Sequence, residues 1–226
     1  LNAILSQPLI MAEIIGYTIT NEKMFLGEDL SAIENYQKSL MKSIKAKIPQ
    51  ISVISYGDEN GNYIGIRDNG EGKDFSLMLK DSRTGGLLNI YEGDSIKSNI
   101  ISSIEDYDPR IRPWYEPVRK NIASSWSNIY INQDEKMEAT TSVSVPVFGN
   151  RGEFRGVFEI GVNLDEINDF LQNNKIKGNG VVFIVNDELD IVAQSEAHNN
   201  AVITDSKNFK GELLKVKDSK NPLIKS

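Results

Sequence analysis

YDPRIRPWYEPVRKN, residues 107–121, sets three aromatic rings, three arginines and three prolines in fifteen positions. A packed core has no use for the arginines, and an ordinary loop has no use for the rings. Arginine is a planar fork of donors matched to a carboxylate. Trp and Tyr supply flat apolar walls with polar tips. The stretch therefore reads as one wall of a binding site, on a turn from which Pro113 can open a short helix. A plainer reading stands beside it. Arg110 and Arg112 can pair with Asp106 and Asp108 and pin the turn, with Trp114 and Tyr115 as packing at the head of the helix.

On the N-terminal side, residues 2–48 read as helical. Ser31 and Glu34 have capping-box spacing. Ile33, Tyr36, Leu40, Ile44 and Ile48 then recur at helical steps, and Ile10, Ile14, Ile15 and Tyr17 do so earlier. Pro8 is expected to start or kink the first stretch, and Pro49 to stop the second. The period then changes. Strands are expected at 51–56, 63–67, 75–80 and 87–91, joined by Asn/Asp/Gly turns, as an antiparallel meander. Beyond the quoted stretch, 126–131, 140–148 and 154–162 read as extended. A helix from Asn163 or Asp165 is expected to bury Leu164, Ile167, Phe170 and Leu171. After a glycine-rich joint at 177–180, a strand–turn–strand at 181–194 repeats the logic of the 51–67 hairpin, with no further strong strand.

Composition narrows the function. The 226 residues are 39% apolar and 25% charged, as in an ordinary globular protein. The net charge of −7, with no basic run, argues against a nucleic-acid partner. With no cysteine there are no disulfides, thiolate metal sites or cysteine nucleophiles. The single histidine, His198, sits in a polar segment and reads as a surface residue. No Walker loop, dinucleotide fingerprint, zinc motif or nucleophile elbow occurs. No catalytic residue, metal ligand or cofactor is expected, and an enzyme is disfavoured. No apolar run reaches the about 20 residues of a membrane span. The chain starts at Leu1 without Met and reads as a piece of a longer protein, anchored by segments outside it.

The order of these elements resembles the double Cache (dCache) sensor family. The motifs that carry the likeness are DPRIRPWYEPV (108–118), GEFRGVFEIGVNLDEINDFL (152–171) and GVVFIVNDELDIVAQS (180–195). The resemblance implies an α+β fold with a PAS-like antiparallel sheet in each of two modules and a long N-terminal helix beside both. It implies a ligand pocket in the membrane-distal module. The segments expected are a helical 1–50, a distal ligand-binding module at 51–177 and a partial proximal module at 178–226. In the family branch that binds amino acids and amines, the pocket motif matches here at Tyr107, Arg112, Trp114, Tyr115 and Tyr130. The final Asp of that motif does not match, because Gly161 stands in its place. Glu159, two residues earlier on the same strand face, is the candidate substitute carboxylate. An outward-facing charge is the equal alternative for it.

The resemblance implies the extracytoplasmic part of a membrane signalling receptor (a histidine kinase, chemoreceptor or cyclase). The expected ligand is a small amino acid, amine or carboxylate. A ligandless spacer, serving dimerisation or a protein partner, is the alternative. The helical stripe admits pairing with its twin in a homodimer, although packing on its own sheet accounts for most of it.

Overall fold

A computed structural model of the chain describes residues 2–22, 24, 29–70, 73–132, 139–173, 180–196, 201–205 and 210–225; His198 lies outside them. The chain divides into two compact units, residues 1–128 with 142–161 and residues 129–141 with 162–226. The segments that the resemblance implies are bounded at 50 and 177. By packing, the N-terminal helices group with the first sheet, and residues 162–173 group with the second unit.

In the first unit, the helical stretch is two helices, α1 (Asn2–Asn21) and α2 (Ser31–Ile44). Helix α1 begins ahead of Pro8, which lies inside it. The capping box does not form. Ser31 is already helical, and its N–H donates to Asp29 Oδ1 at 2.9 Å, so that donor is served from two residues upstream. Glu34 instead receives Lys38 at 2.6 Å and Arg83 at 2.7 Å.

The meander follows as β1 (Ile51–Asp58), β2 (Tyr63–Arg67), β3 (Ser76–Lys80) and β4 (Leu88–Tyr91). A fifth strand, β5 (Ile100–Ile104), escaped the sequence reading because it is serine-rich and half exposed. The quoted stretch then makes a 3₁₀ turn at Pro109–Ile111 and helix α3 (Glu116–Asn121). Pro113 opens neither of these. Pro109 starts the turn, and Pro117 sits in the first turn of α3. Strands β6 (Ser125–Trp126), β7 (Tyr130–Ile131), β8 (Ala139–Phe148) and β9 (Phe154–Asn163) come next.

The sheet order is β5-β4-β3-β2-β1-β9-β8-β6, so the chain leaves after β5 and returns to flank β1 on its open side. One face of this sheet is an apolar core. Ile54, Tyr56, Ile64, Ile66, Leu77, Leu79, Val143, Val145, Phe158 and Ile160 meet Ala12, Ile15, Ile19, Ile33, Met41 and Ile44 of the two helices. Most of the helical stripe packs on the core as expected, through Ile15, Ile33, Tyr36, Leu40, Ile44 and Ile48, whereas Ile10, Ile14 and Tyr17 of α1 are exposed.

In the second unit, β7 pairs antiparallel with Thr140 and Ala139. Helix α4 (Leu164–Asn173) buries Leu164, Ile167 and Leu171. Phe170 is exposed, because the remaining place on that stripe belongs to Asn168, whose Oδ1 accepts the Gln194 N–H at 2.8 Å. Strands β10 (Phe183–Val185) and β11 (Ile191–Gln194) form the expected hairpin. A second hairpin, β12 (Ala201–Asp205) with β13 (Lys210–Leu213), corrects the expectation of no further strands. Helix α5 (Pro222–Lys225) follows.

Candidate functional site

Strand β1 is buried along its whole length, which is unusual for an antiparallel sheet with one apolar core. Its second face must therefore be covered as well, and the cover includes the quoted stretch. Trp114 and Tyr107 are buried there beside Tyr63, with ring centroids 6.2 and 5.1 Å away. The cover lies against the backbone at Gly57. A Cβ at that position would stand 2.9 Å from Pro109 and 3.0 Å from Trp114. Lys80 fastens the start of the cover by donating to the Tyr107 carbonyl at 2.6 Å.

The covered face mixes apolar residues with buried polar ones. In the β1–β2 register, Val53, Ser55 and Gly57 pair with Arg67, Gly65 and Tyr63, so these residues share one face. Glu159 of β9 faces the same way and is only 2% exposed. One of its oxygens accepts from Ser55 Oγ on β1 and the other from Ser142 Oγ on β8, both at 2.5 Å. Glu159 is thus not an outward-facing charge. A buried carboxylate is costly unless donors surround it, and two strand hydroxyls meet part of that need here. Gly65 leaves room for the neighbouring phenol, since a Cβ there would lie 2.7 Å from the Tyr63 hydroxyl.

Burial, and then the charge of Glu159, push the Tyr63 phenol well up. Burial and the neighbouring Tyr63 do the same to Tyr107, with the Arg112 guanidinium acting against them. Both rings therefore stay neutral and able to donate at physiological pH. Arg67, 5% exposed, acts on Tyr63 from the far end of β2.

The sequence-derived candidates divide accordingly. Tyr107, Trp114 and Glu159 lie in the first unit about this face, with Arg112 acting on the Tyr107 phenol. Gly161, on the same strand as Glu159, offers its carbonyl to Ser52 Oγ at 3.3 Å. The Tyr115 hydroxyl donates to Glu59 at 2.8 Å, and its ring packs edge-on against Phe154. Tyr130 belongs to the second unit, half-buried on β7. The turn-pinning alternative holds for Arg110, which pairs with Asp108 at 2.8 Å.

Residues of the face that escaped the sequence reading include Tyr63, Arg67, Ser55 and Ser142. The signal for the first two was present in YIGIR (63–67), which alternates Tyr, Gly and Arg with two isoleucines. The serines carry no such mark.

The model of the first PDC sensor domain of methyl-accepting chemotaxis protein-like proteins matches residues 55–169, just over half of the chain. No curated protein matches the chain in sequence. Among solved structures, the chain is similar to the ligand-binding domain of the Campylobacter jejuni chemoreceptor Tlp3 in complex with 4-methylisoleucine. The TM-score is 0.56 at 14% identity, over 86% of this chain and 64% of that one. It is also similar to the ligand-binding domain of the Pseudomonas aeruginosa amino acid chemoreceptor PctC with GABA, at TM-score 0.54 and 14% identity, over 86% and 69%. A third is the Pseudomonas fluorescens chemoreceptor CtaA domain with L-serine, at TM-score 0.56 and 14% identity, over 86% and 66%. The chain spans less than two thirds of the Tlp3 and CtaA domains it matches. At this identity the likeness speaks for the fold, which is the α+β, antiparallel-sheet architecture expected. The chain belongs to the methyl-accepting chemotaxis protein-like, first PDC sensor domain family.

Proposed function

We propose that the chain is the extracytoplasmic sensing part of a membrane signalling receptor, with a small polar metabolite bound on the covered face of the first unit. Amino acids, amines and carboxylates are the classes in view, since similar domains have been solved with 4-methylisoleucine, GABA and L-serine. The observation that carries this reading is the buried polar face itself. Glu159, Ser55, Ser142 and Arg67 are each at least nine-tenths buried on the side of the sheet away from the core that α1 and α2 cover. Folding alone gains little from such groups, because burying them costs more than burying hydrocarbon of equal volume. A binding surface has a use for them.

In this role the chain performs no chemistry. Ligand shifts a conformational equilibrium by binding one state more tightly than the other. The second unit and the exposed Ile10–Ile14–Tyr17 face of α1 are the surfaces available to pass the shift on, the latter to a second copy. Thermal melting against a panel of amino acids, amines and short acids tests the reading. A ligand raises the midpoint by mass action, and Arg112→Ala removes that rise. A flat response to the whole panel leaves the spacer reading in its place, and turnover of any compound makes the chain an enzyme.

A further inference from the structure

Ser55, Ser142 and Ser144 are all but fully buried, and by the alternation of β1 and β8 all three face the cover. The other side of β8 gives Val143, Val145 and Val147 to the apolar core. Ser55 and Ser142 have a visible task, since each donates to one oxygen of Glu159. Ser144 has none. It is 1% exposed, and its hydroxyl meets no hydrogen-bond partner among the described residues.

The strand neighbours of Ser144 are uncharged. Its partner on β6 is Ser125, whose hydroxyl donates to the Trp126 carbonyl at 3.1 Å. Strands β8 and β9 are adjacent and joined by the 149–153 turn, so two residues from the Ser142–Glu159 bond towards that turn stand Ser144 and Val157. Val157 is fully buried. A buried hydroxyl without a partner is a cost that alanine would avoid at nearly the same volume. Folding therefore has no use for the Ser144 hydroxyl, whereas a ligand with a polar group of its own does. An ionised group set beside Val157 and Ser125 would lose its water with no counter-charge on either strand neighbour. A hydroxyl suits the place, because it donates and accepts as Ser144 does.

We propose that Ser144 is a specificity-determining contact of the ligand site, its hydroxyl bonded to a hydroxyl of the ligand. The inference rests on the reading that the covered face binds a small metabolite, and it adds the feature by which that metabolite is chosen. A site built to bond a hydroxyl rejects the analogue with a methyl in its place, because its own polar group is then left unpaired.

Calorimetric titration of the chain with pairs that differ by that one exchange tests it: L-threonine against L-valine, 3-hydroxybutyrate against isovalerate, and ethanolamine against propylamine. In a pair that binds, the hydroxyl member is expected to bind at least about tenfold more tightly. In Ser144→Ala the two members are expected to come within about threefold of each other, with a ligand-free melting midpoint equal to or above that of the parent. A methyl member bound as tightly or more tightly by the parent overturns the inference and leaves the ligand-binding reading standing. A preference that survives intact in Ser144→Ala does the same, and so does a lowered ligand-free midpoint, which would show that the hydroxyl is spent within the fold. Binding of none of the six compounds counts against both readings.

Discussion

Phe158 and Glu159 are neighbours on β9, both fully or almost fully buried, and they point to opposite sides of one sheet. Phe158 enters a continuous apolar core with α1 and α2. Glu159 enters a polar layer in which two serines hold it. The first side obtains its stability from area removed from water, at about 25 cal/mol per Å². The second buries the rings of Tyr63, Tyr107 and Trp114 but also has to satisfy buried polar groups through directed hydrogen bonds. A sheet built this way separates holding the fold together from recognising a ligand, so the recognising side can change its polar groups with less effect on the core.

The sharpest way to break this contrast is a pair of substitutions. Phe158→Ala is expected to cost about 3–5 kcal/mol in urea unfolding, from lost burial plus the cavity left behind. Ser55→Ala, across the strand pair on the other face, is expected to cost about 1–2 kcal/mol, since Glu159 loses the Ser55 hydroxyl as a donor. Equal costs would mean that the two faces are not different in kind. Gly57→Ala probes the contact between the polar face and its cover. The added Cβ meets Pro109 and Trp114, and overpacking of this sort costs about 1–3 kcal/mol. A change in tryptophan fluorescence should accompany the loss, because the cover carries Trp114.

Gln37 is an exception on the apolar side. Its amide is fully buried on α2, and neither its nitrogen nor its oxygen has a partner among the described residues. Gln37→Leu is therefore expected to stabilise the chain by about 1–2 kcal/mol, read as a higher unfolding midpoint. A loss of stability would show that the amide has a role in the core. The smallest effect concerns the cover. The Arg110 side chain holds the Asp108 carboxyl below its ordinary value of 3.8. The stabilisation is whole above about pH 4 and fades as pH falls through the lowered value. Asp108 is partly exposed, so its loss amounts to about a few tenths of a kcal/mol. Acid titration of Asp108→Asn should show that much less sensitivity than the parent.

Much of the first sheet was legible because its strands alternate and its turns are rich in Asn, Asp and Gly, as at 58–62. The cover was legible through its composition alone. The residues beneath it were not, for a topological reason. Ser55, Ser142 and Glu159 meet only because β9 and β8 return beside β1, and nothing in the three short stretches around them announces that pairing. Glu159 was an even choice between inward and outward until the neighbouring strands were placed. Phe170 misled for the opposite reason, since a helical stripe gives no sign that Asn168 will take a buried place for a backbone contact. Strand β5 and the β12–β13 hairpin escaped because each is short and lacks a continuous apolar run.

The return of β9 also bears on how the chain assembles. Ser55 and Glu159 are 104 residues apart in sequence, yet they are hydrogen-bonded at the middle of the sheet. Strands β1 to β4 close as successive hairpins with short loops, whereas the β1–β9 seam must wait for a long stretch of chain to come back. Topology of this kind places refolding on the slow side for a domain of its size. Until that seam closes, one long edge of β1 stands open to other chains, and the molecule is then most exposed to misassembly.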